Sequence, residues 1–144
     1  MKFSKPEILR NSEIIAELKR AWLDSEPNVS GGHEEGGFVV ADDFGVLSVE
    51  RWEKGMQNEI VLPPHRNCFV NGKAIVVSFH THPNTGADSQ QEPSLTDIRA
   101  VRDDFDLKGE FYLGEFVISR ENIYLIEPAG VFSIIGKTSK ILGR

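Results

Sequence analysis

The chain has 144 residues, 40% of them apolar and 26% charged, with a formal net charge of −6. That length suits a single domain over residues 1–144 with its own core. The acidic balance lacks the basic surface that nucleic acid or an anionic membrane demands, and the single cysteine, Cys68, rules out an intrachain disulfide and any four-thiolate zinc site.

No apolar run approaches the roughly 18–20 residues that cross a membrane. Residues 1–12 are polar and lack a signal-peptide core, so the expected compartment is the cytoplasm. In chain order, Ile14, Ile15, Leu18, Ala21 and Trp22 fall at helical spacing and predict one amphipathic helix. Ser4 with Glu7 reads as a capping box at its start, and Glu26-Pro27 closes it. Residues 27–36 form a loop rich in Gly, Ser and Asn. Short strands follow at 37–41 and 46–52, joined by a turn at Asp42, Asp43 and Gly45. Residues 53–73 hold Pro63, Pro64, His65 and Gly72, with short apolar pieces at 60–62 and 68–70. Residues 74–79 are nearly all apolar, as in a central strand buried on both faces, and Pro83 stops that strand. A polar loop, 84–93, precedes a helix starting near Ser94 or Leu95, with Leu95, Ile98, Val101 and Phe105 facing the core. Strands at 115–119 and 122–126 flank an Arg120-Glu121 turn, and 131–135 makes a last strand. The basic tail from Lys137 to Arg144 reads as solvated. This order indicates an α/β chain: a mixed β-sheet flanked by helices.

The central strand ends in Ser78-Phe79-His80-Thr81-His82-Pro83. Residues i and i+2 of an extended segment point to the same side, so His80 and His82 can reach one ion together. A lone histidine at a strand end is more often a satisfied core residue. Two of them followed by proline point to metal, since each would otherwise need its own hydrogen-bond partners. Ser94-x-x-Asp97 after Pro93 is by itself a helix N-terminus signature, a cap contributing about 1 kcal/mol. Beside the two histidines, Asp97 becomes the third ligand, leaving one tetrahedral position open as in catalytic zinc. A hydrolytic site also needs a base, and the candidates are Glu34 and Glu35, within Gly31-Gly32-His33-Glu34-Glu35-Gly36-Gly37-Phe38. The glycines would let the backbone approach closely. His33 and His65 read as surface or loop residues, with His33 nearer the site.

Glu34-x-Gly36-Gly37-Phe38, His80-x-His82-Pro83 and Ser94-x-x-Asp97 together resemble the JAMM motif of MPN-plus metalloproteases, over roughly residues 30–126. The spacing to Gly37 favours Glu34 over Glu35. The fourteen residues from Pro83 to Thr96 exceed the family's usual spacing, and the excess falls in a polar loop that can bulge without moving its flanks. The resemblance implies a JAMM/MPN-type (cytidine-deaminase-like) fold and a Zn²⁺-dependent hydrolase of peptide or isopeptide bonds. His80, His82 and Asp97 would hold the ion, Glu34 would act as general base and Ser94 as oxyanion donor. The implied partner is a protein or peptide substrate, ubiquitin-like conjugates included, gripped by residues 55–72 and 84–93. The sequence carries no signal for oligomeric state.

Two rivals stand beside this reading. Phe79-His80-Thr81-His82 followed by Asp88 resembles the opening motif of polymerase-and-histidinol-phosphatase phosphoesterases, which need more ligands than His33 and His65 supply. A non-catalytic MPN-type scaffold is the other. A zinc deaminase is weaker still, because its Pro-Cys-x-x-Cys ligands cannot come from one cysteine.

Overall fold

A computed structural model describes residues 2–27, 32–84 and 91–143. Two helices open the chain where the periodicity predicts one. Ser4 caps α1 (Lys5–Arg10) by accepting from the Glu7 amide. Asn11 ends α1 and caps α2 (Ser12–Asp24), its side chain accepting from the Glu13 and Ile14 amides at 3.0 and 3.2 Å. That capping choice divides a continuous apolar stripe into two helices. Ile14, Leu18 and Ala21 line the buried face of α2, the two larger side chains contributing about 1.5–3 kcal/mol each by leaving water.

The strands are β1 (Gly36–Ala41), β2 (Leu47–Arg51), β3 (Phe69–Val70), β4 (Lys73–His82), β5 (Glu115–Ser119), β6 (Asn122–Ile126) and β7 (Phe132–Lys137). They form one seven-stranded mixed sheet in the order β2-β1-β4-β5-β6-β7, with β3 also paired to β4. Neighbours are antiparallel except β4 and β5, which run parallel. A parallel pair needs a crossover, and α3 (Leu95–Arg102) lies within it. β3 and β4 are joined by Asn71-Gly72, both at positive φ (50° and 77°), the Asn-Gly signature of a tight hairpin.

Both faces of the sheet are covered. On one face Ile8, Ile14 and Leu18 pack over Val39, Val77, Phe79, Phe116 and Ile118, joined by Leu142 of α4 (Thr138–Leu142). The basic tail keeps Lys137 and Lys140 exposed, as expected, but it is also helical, and burial of Thr138 and Leu142 folds it onto the core. On the other face Val101 and Leu107 pack over Phe38, Val40, Val117 and Ile126. Of the four residues expected to face the core from α3, only Val101 is buried. Leu95 is 57% exposed, and Phe105 is 93% exposed because α3 ends at Arg102 and Phe105 begins a separate 3-10 turn (Phe105–Leu107). No helix among the described residues is long and apolar enough to cross a membrane.

Candidate metal centre

β4 carries His80 and His82 out of the sheet at its C-terminal end, beside parallel β5, where open α/β sheets bind ligands. Ser78, His80 and His82 alternate with the core residues Val77 and Phe79, which face the helices α1 and α2. The two imidazoles therefore point to the α3 face. Their Nε2 atoms are 3.1 Å apart.

Register brings Glu34 to the same place. Gly36 pairs with His80 in the β1–β4 ladder. The pairing continues toward the loop, with the Thr81 amide donating to the Glu35 carbonyl at 2.9 Å and the Glu35 amide to the Thr81 hydroxyl at 3.0 Å. Two residues before Gly36, Glu34 falls on the face of His80 and His82. Residues 55–56 bind its other side, through bonds from Gly55 N to Glu34 O (2.7 Å) and from Glu34 N to Met56 O (2.8 Å). Gly36 and Gly37 are required by neighbouring rings. A Cβ at Gly36 would lie 2.4 Å from Trp52 Cε3, and one at Gly37 2.8 Å from Phe79 Cζ. Close approach is thus the reason for these glycines, and what approaches is the packing that holds Glu34.

Glu35 points elsewhere. It binds Arg51 at 2.5 Å and also pairs with His33, while Arg51 reaches Asp24 at 3.2 Å. His33 is accordingly near the site but turned from it. His65 lies in a loop, as expected, but is half-buried and held at both ring nitrogens: its Nδ1 lies 2.6 Å from the Pro63 carbonyl and its Nε2 2.6 Å from Asp104.

The fourth element is the start of α3. Ser94 and Asp97 form a reciprocal capping box, with Ser94 N donating to Asp97 Oδ2 at 2.9 Å and Asp97 N donating to Ser94 Oγ at 3.0 Å. The same carboxylate faces the histidines, at 3.3 Å from His80 Nε2 and 3.2 Å from His82 Nε2. The cap and ligand readings of Asp97 are therefore compatible in space. The Ser94 oxygen accepts the Asp97 amide, so its own O–H remains free to donate.

The two Nε2 atoms are 3.1 Å apart and each faces its own Asp97 oxygen, Oδ1 at 3.3 Å from His80 and Oδ2 at 3.2 Å from His82. Tetrahedral zinc at about 2.0–2.1 Å from nitrogen or oxygen sets its ligand atoms about 3.3–3.4 Å apart. The tautomers agree with such an ion. His80 Nδ1 is 2.8 Å from the Glu115 carboxylate, and His82 Nδ1 is 3.2 Å from the Gln91 carbonyl. Both partners are acceptors, so both Nδ1 atoms carry hydrogen, and the Nε2 atoms, which donate to Asp97 when no ion is bound, are the positions left for an ion. Two imidazole nitrogens and a carboxylate in one small volume suit a cation, a proton or a metal ion that displaces it.

Glu34, His80 and His82 also offer ligand atoms that all lie within 4.8 Å of one another, close enough to hold a metal ion. Two carboxylates thus flank the histidine pair. Asp97 lies 3.2–3.3 Å from both rings, and a Glu34 carboxylate oxygen lies within 4.8 Å of them. Burial pushes the Glu34 carboxyl up to about 7, against the pull of His80 and His82. Burial opposes ionisation of Asp97 too, but hydrogen bonds from His80 and His82 hold it well below the usual carboxylate range. For His80, burial disfavours charge and is outweighed by Glu115 and Asp97, which raise it well above an ordinary histidine.

The pocket over these groups has a volume of about 370 Å³ and is walled by Ile60, Leu62 and Ala100, with Asn58 and Glu59 at its rim. Residues 53–73, hard to read as a sequence, supply Ile60 and Leu62 of that wall, and α3 supplies Ala100. Glu115 went unnoticed in the sequence, although a carboxylate alternating with buried Val117 was a signal. Residues 85–90, which hold Asp88 and most of the expected substrate loop, and residues 28–31 lie outside the described residues. Compared with family models, curated proteins and solved structures, the chain matches none.

Proposed function

We propose that this chain is a zinc-dependent hydrolase of peptide or isopeptide bonds, of the JAMM/MPN-plus kind. The observation that carries the reading is the cluster of His80 and His82 with the Asp97 carboxylate facing both rings and a buried Glu34 within 4.8 Å of the pair. His80, His82 and Asp97 hold the ion. A zinc ion there supplies Lewis acidity and lowers the pKa of water from 15.7 to about 7.

The protein's own groups supply the rest. Glu34, raised toward neutrality by burial, accepts a proton from water and returns it to the departing amine. Ser94 donates its free O–H to the carbonyl oxygen as charge develops there. Ile60 and Leu62 exclude solvent from one side of the cleft. The segment from Gly55 to Leu62 borders both this pocket and an adjoining groove of about 570 Å³, giving an extended polypeptide room to lie along it. A ubiquitin-like or other small-protein conjugate is the substrate class that the motif implies.

The phosphoesterase reading is less well supported. Its extra histidines are committed elsewhere, His33 to Glu35 and His65 to Asp104. The scaffold reading makes a different prediction about metal. Purified protein should carry about one divalent ion per chain. It should also cleave a member of a panel of conjugates and peptides that Glu34→Gln leaves intact. A folded protein that takes up no divalent ion at neutral pH sinks the hydrolase and leaves the scaffold.

A further inference from the structure

We propose that Glu115 is a positioning residue that fixes the tautomer of His80 and sets the affinity of the centre for its ion. This rests on the ion-binding part of the reading above.

Glu115 opens β5 and pairs in register with Ser78, on the face that carries His80. Its side chain is 4% exposed, and Phe116, Val117 and Ile118, which follow it, are fully buried. A carboxylate in such surroundings costs several kcal/mol unless hydrogen bonds or a nearby positive charge compensate it. The partner it has is His80, with Oε2 at 2.8 Å from Nδ1. An ionised carboxylate only accepts hydrogen bonds, so the imidazole proton is held at Nδ1 and the Nε2 lone pair is turned toward the pocket. A charged acceptor also makes the ring a better donor to a metal.

The two histidines are therefore unequal. His82 has a neutral acceptor at 3.2 Å, the Gln91 carbonyl, where His80 has a carboxylate at 2.8 Å. Glu115 makes His80 the stronger ligand and the one whose orientation is fixed from within the sheet.

The test is a zinc titration against a competing chelator, on wild type and Glu115→Gln, with thermal melting of the metal-free proteins in parallel. Glutamine keeps the volume and removes the charge. We expect affinity to fall about 10–100-fold while the metal-free variant still melts cooperatively. In the zinc-loaded wild type, the His80 Nδ1 proton should resonate far downfield and move upfield in Glu115→Gln. Affinity within twofold of wild type overturns the proposal. Should Glu115→Gln fail to fold, the same titration on Glu115→Asp decides. That variant keeps the charge but withdraws it by one methylene, and unchanged affinity again overturns the role. A wild type that binds no zinc instead refutes the ion-binding reading itself.

Discussion

Two imidazoles on the same side of the sheet, His80 and His65, are each held at both ring nitrogens, and they come out differently. His65 has one acceptor per nitrogen, the Pro63 carbonyl and Asp104, and one proton on each satisfies it completely. It is a brace that ties residues 63–68 to the turn after α3, helped by the Asn67 amide donating to Asp106 at 2.9 Å. His80 has Glu115 on one nitrogen, and on the other both His82 and Asp97. A single proton at Nε2 cannot serve two neighbours at 3.1 and 3.3 Å as a tetrahedral ion can. A histidine bound at both ends is thus structural when its acceptors are matched one to one. It becomes a metal candidate when one nitrogen is shared among several ligand atoms.

The largest effects expected from this contrast are on turnover. Glu34→Gln should lower the rate of hydrolysis by about 10²–10⁴ and leave zinc content and melting temperature near wild type. Retained activity would remove Glu34 as the base, and loss of zinc would make it a ligand. Ser94→Ala should reduce kcat by about 10²–10³ and lower stability by about 1 kcal/mol through the lost cap. A stability loss with unchanged kcat would reduce Ser94 to its cap. Gly36→Ala tests the scaffold behind Glu34. The added methyl meets the Trp52 ring, and denaturant unfolding should show about 1–3 kcal/mol of destabilisation.

The smallest effect belongs to His65. Burial lowers its proton affinity, but the Pro63 carbonyl and Asp104 outweigh this and raise its pKa above the ordinary 6.5. Its contribution to stability is therefore complete below about 6.5, the unfolded value, and is lost as pH rises through the higher folded value. Comparing wild type with His65→Gln by urea unfolding, the gap should be widest near pH 6 and narrow in mildly alkaline buffer. It should stay below about 1 kcal/mol, because the pair is partly exposed. A gap that widens with pH would contradict this sign.

The parts legible in the sequence were those with a strong local signal. The apolar run into His80 gave the central strand, and Ser94-x-x-Asp97 gave the start of α3. Asn11 hid the break between α1 and α2, because a cap inside a continuous apolar stripe leaves the periodicity intact. Asn71-Gly72 was a plain hairpin signal in a segment otherwise obscured by prolines. Phe105 was misplaced because helical spacing does not reveal where a helix ends. At the site, the i, i+2 histidines follow from strand geometry alone. The convergence of Glu34, Asp97 and Glu115 depends on which strand lies beside β4, and no local pattern contains that pairing.

The start of α3 uses the same two side chains for folding and for the pocket. On the proposed reading, a descendant that abandoned hydrolysis would still be under pressure to retain Ser94 and Asp97, since α3 begins poorly without them. Glu34 has no such second employment. Among diverging sequences, replacement of Glu34 would on that reading mark a lost reaction, while an intact Ser-x-x-Asp would say little about whether one had been lost.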